Sequence, residues 1–127
     1  MIQANELRIG NLVEKSIKSG QGRTLICKIG GEDIVRVFEN IGSFNYNPIP
    51  LTEEWLLKAG FEKTYDGEFT AIFNLLIDDR ISFVIKKQNA ELSCIKYRNE
   101  SFSHIKNAHS LQNFVYDLTG KELEFKL

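Results

Sequence analysis

Residues 68–98 read EFTAIFNLLIDDRISFVIKKQNAELSCIKYR, and the fold class turns on whether this run forms strands. Ile, Phe, Val and Leu crowd three segments, and such side chains suit a pleated, half-buried surface. Two polar pairs, Asp78-Asp79 and Gln88-Asn89, interrupt them at hairpin spacing. With a two-residue loop at each pair, Leu76 faces Ile81, Ile72 faces Ile85, Ile85 faces Leu92 and Phe83 faces Cys94. One sheet face then collects Ile72, Leu76, Ile81, Phe83, Ile85, Leu92 and Cys94. A one-residue slip would scatter that set, which favours the register. On the other face Lys86 lies opposite Glu91, a favourable charge pair. The expectation is a three-stranded antiparallel meander, entered through an Asp66-Gly67 turn.

Helices are expected on both sides of the meander. Upstream, PLTEEWLLKAGF (50–61) carries full helix punctuation. Thr52 is the N-cap, and Glu53 and Glu54 sit where the helix dipole favours acids. Lys58 occupies the last turn, and Gly60 supplies a left-handed stop. Trp55, Leu56 and Ala59 form the buried face, with Trp55 packing the helix onto the sheet. Downstream, AHSLQNFVYDLTGKEL (108–123) places Leu111, Phe114, Val115 and Leu118 at i, i+3, i+4 and i+7, an amphipathic helix. Asn107 or Ser110 caps it and Gly120 ends it. Between meander and helix, 97–110 reads as a polar connection, and ELEFKL (122–127) alternates like a last edge strand.

The first half reads as β. NLVEK (11–15), RTLICKI (23–29) and DIVRVFEN (33–40) are strand candidates, the last two joined by a Gly30-Gly31 hairpin turn. Short strands linked by glycine turns suggest a small bent sheet, and an SH3-like barrel is one way such a sheet closes. SFNYNPIP (43–50) is then expected to leave the sheet, because Pro48 and Pro50 force an extended path and cannot donate to a ladder. The fold class is therefore α+β. One compact domain, 1–127, is expected, with a β-rich half (1–49) and a helix–meander–helix half (50–127). A chain of 127 residues can bury a core without metals or disulfides, and no Gly/Ser or Pro-rich linker divides it.

Charge is balanced overall, at −1 from 16 basic and 17 acidic residues. Such a balance gives no general attraction to nucleic acid or anionic membrane. Locally it is uneven. Residues 51–80 hold seven acids and three bases, while 81–107 hold five bases and two acids. Lys86, Lys87, Lys96 and Arg98 make that second segment a candidate nucleic-acid face. No apolar run approaches the ~20 residues of a spanning helix. The N-terminus lacks a signal-peptide pattern. No membrane association and a cytoplasmic location are expected.

Candidate chemistries thin out on inspection. SGQGRT (19–24) fails as a phosphate loop: Arg23 replaces the lysine, and a strand follows where a helix must begin. Asp78-Asp79 belongs to a hairpin tip, where carboxylates stay solvated. Cys27 and Cys94 are 67 positions apart and fall on strands, where cysteine acts as a small hydrophobe. Two histidines fit no metal-ligand spacing. Phe38, Phe44, Tyr46 and Trp55 group around the proline turn beside Arg36 and Lys28. Glu32, Asp33 and Glu39 stand there too, so core packing outweighs a base-stacking platform. No cofactor and no catalytic residue is expected. One polar stripe stands out: His109, Gln112, Asn113 and Tyr116 gather on one flank of the last helix. They read as boundary residues satisfying backbone groups, or as the rim of a small ligand groove.

Three segments carry a resemblance: ELRIGNLV (6–13), PIPLTEEWLLKAGF (48–61) and HSLQNFVYDLTGKEL (109–123). In that order they resemble a group of small uncharacterised proteins found in Bacteroidetes genomes and their prophages or mobile elements. Val115 stands where that pattern has an aromatic residue, and Ala59 where it has a bulkier one. The resemblance implies a mobile-element origin and brings no activity with it. The leading expectation is a non-enzymatic accessory or protein-interaction module with a protein partner. The alternative is a nucleic-acid-binding protein using the small sheet and the 86–98 basic face.

Overall fold

The computed structural model describes residues 2–17, 24–42, 44–77, 79–86, 91–97, 100–102 and 104–127; for 76–86, 91–97 and 100–101 the description is of the backbone. Strands β1 (Leu12–Ile17), β2 (Leu25–Lys28) and β3 (Phe44–Asn47) form one antiparallel sheet, in the order β2-β1-β3. Strands β4 (Glu62–Asp66), β5 (Thr70–Ile77), β6 (Asp79–Lys86), β7 (Glu91–Tyr97) and β8 (Glu100–Phe102) form a second, in sequential order. Helices α1 (Gly31–Glu39), α2 (Glu53–Lys58) and α3 (Ala108–Thr119), with a short 3-10 helix at Ala4–Glu6, complete the described elements. The chain is α+β. It divides into two compact units, residues 1–50 with 107–113 and residues 51–106 with 114–127.

In the first unit, the segment expected as a third strand after Gly30-Gly31 is helix α1. Period decides it. As a strand, 33–40 would put Arg36 beside Ile34 and Phe38 on one face. At helical period, Ile34 and Val37 turn together onto the core of Ile2, Val13, Ile29 and Tyr46. Val35 and Phe38 are left exposed. Gly30-Gly31 is consequently a helix start. The Asp33 carboxylate accepts from the Gly30 N–H at 2.9 Å, satisfying one of the orphan donors of the first turn. The third strand comes instead from Phe44–Asn47, part of the segment expected to leave the sheet, which pairs with β1 ahead of Pro48, and the three-stranded sheet does not close into an SH3-like barrel. At its other end α1 closes in a Schellman arrangement. Ile41 N–H donates to Arg36 O at 3.0 Å and Asn40 N–H to Val37 O at 3.3 Å, with Asn40 left-handed at φ 53°.

In the second unit, α2 follows its sequence closely. Thr52 Oγ1 accepts from Trp55 N–H at 3.4 Å, and Lys58 pairs with Glu54 at 3.1 Å. Gly60 takes φ 95°, which lets Phe61 N–H reach back to Leu56 O at 3.0 Å. Leu56 is fully buried. Trp55 meets Phe125 edge-to-face, with ring centroids 5.6 Å apart. The 122–127 tail is therefore an irregular strap. Leu123 is buried and Lys126 N–H donates to Lys58 O at 2.8 Å, in place of the expected edge strand.

The meander is present, and its register differs from expectation by one residue between β5 and β6. Leu75 pairs with Ile81, Phe73 with Phe83 and Ala71 with Ile85. The difference arises at the turn, where Ile77 pairs with Asp79, leaving one residue in the loop where two were assumed. Asp78 itself and the Gln88-Asn89 turn lie outside the described residues. The slip exchanges faces, so Ala71, Phe73 and Leu75 are buried while Ile72 is partly exposed. Between β6 and β7 the expected pairs Lys86–Glu91 and Ile85–Leu92 form. A bulge after Val84 then moves Phe83 opposite Ile95. The connection expected to be wholly polar contains β8, which pairs with β7. No helix among the described residues is long and apolar enough to cross a membrane.

Candidate functional site

The polar stripe of α3 is where the sequence directs attention first. Asn107 caps the helix, its Oδ1 accepting from Ser110 N–H at 3.0 Å and Ser110 Oγ at 2.6 Å. One turn in, His109 and Gln112 are buried, at 1% and 3% exposure. Their partners come from the N-terminal segment. Gln112 Oε1 accepts from Leu12 N–H at 2.8 Å, and its Nε2 donates to Gly10 O at 3.3 Å. Gly10 takes φ 98°, the left-handed backbone that presents this carbonyl. Asn113 Oδ1 accepts from Asn11 Nδ2 at 2.9 Å and Arg8 Nε at 3.1 Å, and its Nδ2 donates to Glu6 O at 2.9 Å. The stripe thus fastens 6–12 to the start of α3. His109, Gln112 and Asn113 are brought together there, whereas Tyr116, on the next turn, is 41% exposed.

His109 has a definite protonation state in this setting. Its Nε2 stands 3.3 Å from Glu6 Oε1, which can only accept, so Nε2 carries the hydrogen. Nδ1 is buried with no partner among the described residues. A second proton on Nδ1 would make a buried donor without an acceptor. Burial accordingly holds the imidazole below its ordinary pKa, against a smaller opposing pull from Glu6.

An open cleft lies elsewhere in the same unit, between α1 and β3. It encloses about 190 Å³. Its helix wall is Arg36, Val37, Asn40 and Ile41, and its strand wall is Phe44, Asn45, Tyr46 and Asn47, over Ile2. Side chains alternate across a strand, so four consecutive residues line one cleft only through the strand's edge. β3 is an edge strand, hydrogen-bonded to β1 alone among the described residues.

Asp33 anchors this wall. Its Oδ1 accepts from the Tyr46 hydroxyl at 2.8 Å and stands 3.9 Å from Lys15 and 3.7 Å from Arg36. Burial acts to raise the carboxyl. The Gly30 and Tyr46 hydrogen bonds and the two cations outweigh it and bring it below its usual value. Lys15 Nζ also lies over the Phe44 ring at 4.2 Å. Cys27, partly buried nearby, has its thiol pushed up by burial and by Asp33, against a smaller lowering by Lys15, so it is held as the neutral thiol.

The sequence placed Phe44 and Tyr46 in a packing role, and both join the core while lining the cleft. It missed Asn40 and the Asp33 hub because α1 was taken for a strand, and Asn45 because 43–50 was read as leaving the sheet; the helical recurrence of Ile34, Val37 and Ile41 was the signal available. Of the candidate nucleic-acid face, Lys87 and Arg98 lie outside the described residues, and Lys86 and Lys96 are described only as backbone positions of β6 and β7. No group of His, Cys, Asp and Glu suited to a metal ion occurs among the described residues. Compared with protein-family models, curated proteins and solved structures, the chain matches none.

Proposed function

We propose that this chain is a non-catalytic protein-interaction module, of phage or mobile-element origin, and that the α1–β3 cleft is its binding surface. One observation carries the reading: a strand edge with no second neighbour among the described residues opens into a cleft walled by a helix. Unpaired edges are normally blunted because they invite another chain. Here the edge is only four residues long, and it borders a cleft of mixed lining in which Ile2, Val37, Ile41 and Phe44 stand beside Arg36 and three asparagines. Val35, Phe38 and Ile41 add exposed apolar surface on and just beyond α1, at 51%, 79% and 50%.

The test is to pan a displayed library of random dodecapeptides on the full chain and map the selected binders by backbone amide shifts. Shifts centred on 36–47 support the reading. Failure to select any binder, or binders that map wholly outside that stretch, overturns it. Turnover in a broad hydrolase and transferase screen, abolished by replacing one polar residue, overturns the non-catalytic part.

A further inference from the structure

The cleft also indicates what kind of chain it accepts. We propose that it takes an extended peptide, which adds to β3 as a further strand and sets an acidic group against Arg36. This inference rests on the interaction-module reading and deepens it.

Three observations converge on that occupant. First, the strand wall is a strand edge, so its unused backbone groups call for ladder hydrogen bonds. Only another extended backbone offers donors and acceptors at the matching repeat, about 3.3 Å per residue. Four residues of β3 then match an added segment of about 13 Å. Second, Arg36 is the one charged residue among those lining the cleft. A guanidinium carries five N–H donors. Its two carboxylate neighbours, Glu32 and Asp33, each stand at 3.7 Å, beyond hydrogen-bond contact. The Tyr46 hydroxyl also hydrogen-bonds this guanidinium, and an incoming carboxylate can accept from the donors that remain. Third, Ile2, Val37, Ile41 and Phe44 give the lining an apolar part, and the volume is about 190 Å³, more than the roughly 150 Å³ that admits benzene. One apolar side chain of the added strand fits there. Strand addition beside a helix is a general mode of peptide recognition, in which backbone bonds supply affinity and pockets for alternate side chains supply specificity.

The experiment uses the full chain and the library-selected peptides. Each peptide is resynthesised with a single N-methyl group at every position in turn, which removes one backbone donor at a time. Affinity is read by fluorescence anisotropy. Strand addition predicts losses of tenfold or more at alternate positions and little change between them. The peptides are expected to share an Asp, Glu or terminal carboxylate. Arg36→Gln should weaken the acidic peptide about tenfold and leave its amide counterpart unchanged. The N-methyl scan alters only the peptide, so it stands even if Arg36→Gln perturbs the fold. A flat N-methyl profile for peptides that still map to 36–47 overturns strand addition and spares the interaction-module reading. Equal loss of acidic and amide peptides on Arg36→Gln overturns the acidic contact. Absence of binders overturns both readings. A doubled mass by light scattering that blocks peptide binding identifies a second copy of the chain as the occupant and overturns the peptide proposal.

Discussion

Replacing Gln112 with leucine tests the central structural claim about α3. Leucine keeps most of the buried volume and the helix propensity, so packing and backbone terms change little. What disappears is the amide. Its oxygen is the partner of Leu12 N–H at 2.8 Å, and Leu12 is buried at 7% exposure. A buried donor left without an acceptor costs about 1–3 kcal/mol. The second bond, Nε2 to Gly10 O, is 3.3 Å long and its acceptor residue is only partly buried, so water can replace it in part. Asn11 Nδ2 keeps Asn113 Oδ1 at 2.9 Å and loses little. The expected destabilisation is about 2 kcal/mol, nearly all from one N–H. Urea unfolding should show it as a midpoint lowered by about 1 M with the slope unchanged, taking a slope near 2 kcal/mol per molar. Asn113→Leu should cost a similar amount, because it leaves the fully buried Asn11 amide with only the 3.5 Å contact to Gln112 Oε1. A loss under about 0.5 kcal/mol for Gln112→Leu would refute the reasoning that Gln112 completes the bonding of 10–12.

His109 predicts a pH dependence. Its folded pKa lies below the unfolded value of about 6.5, so the unfolded chain binds the proton first. Stability is full above that pH and falls as pH drops toward the folded pKa; His109→Gln should flatten this phase in urea titrations at stepped pH. Asp33 contributes a second, more acidic phase. Its lowered pKa means stability is lost below about pH 4, and Asp33→Ala should remove that phase while costing about 1–2 kcal/mol at pH 7 through the lost acceptor at the α1 start. Phe38 and Phe73 should behave oppositely. Phe73→Ala is expected to cost about 3–5 kcal/mol because the ring is fully buried, while Phe38→Ser, at 79% exposure, should shift thermal unfolding little.

Much of the fold was legible because the relevant signals are local. The α2 boundaries follow from Thr52 and Gly60, whose capping bond and left-handed turn need only neighbouring residues. The start of α3 follows from Asn107 in the same way. Leu111 and Val115, read as its core face, are fully buried, whereas Leu118 at 38% exposure is not. Segments 6–13 and 109–123, singled out as signature stretches, prove to hydrogen-bond each other through Gln112 and Asn113. Their pairing accounts for the positions of Gln112 and Asn113 on that flank.

By itself, the sequence determined that this chain is α+β, where two of its helices begin and end, and that its meander is antiparallel. These are consequences of period, caps and turns, each of which acts within a few residues. Tertiary structure decided the rest. DIVRVFEN has strand composition, yet it is helical because only that period puts Ile34 and Val37 on the Ile2–Val13–Tyr46 core while Asp33 caps Gly30. The β5–β6 register differs by one because the loop holds one residue where two were assumed, and the exchange puts Ala71, Phe73 and Leu75 on the buried face. The α1–β3 cleft depends on both an edge strand and a helix wall from separate stretches of chain, and no local pattern announces that they meet.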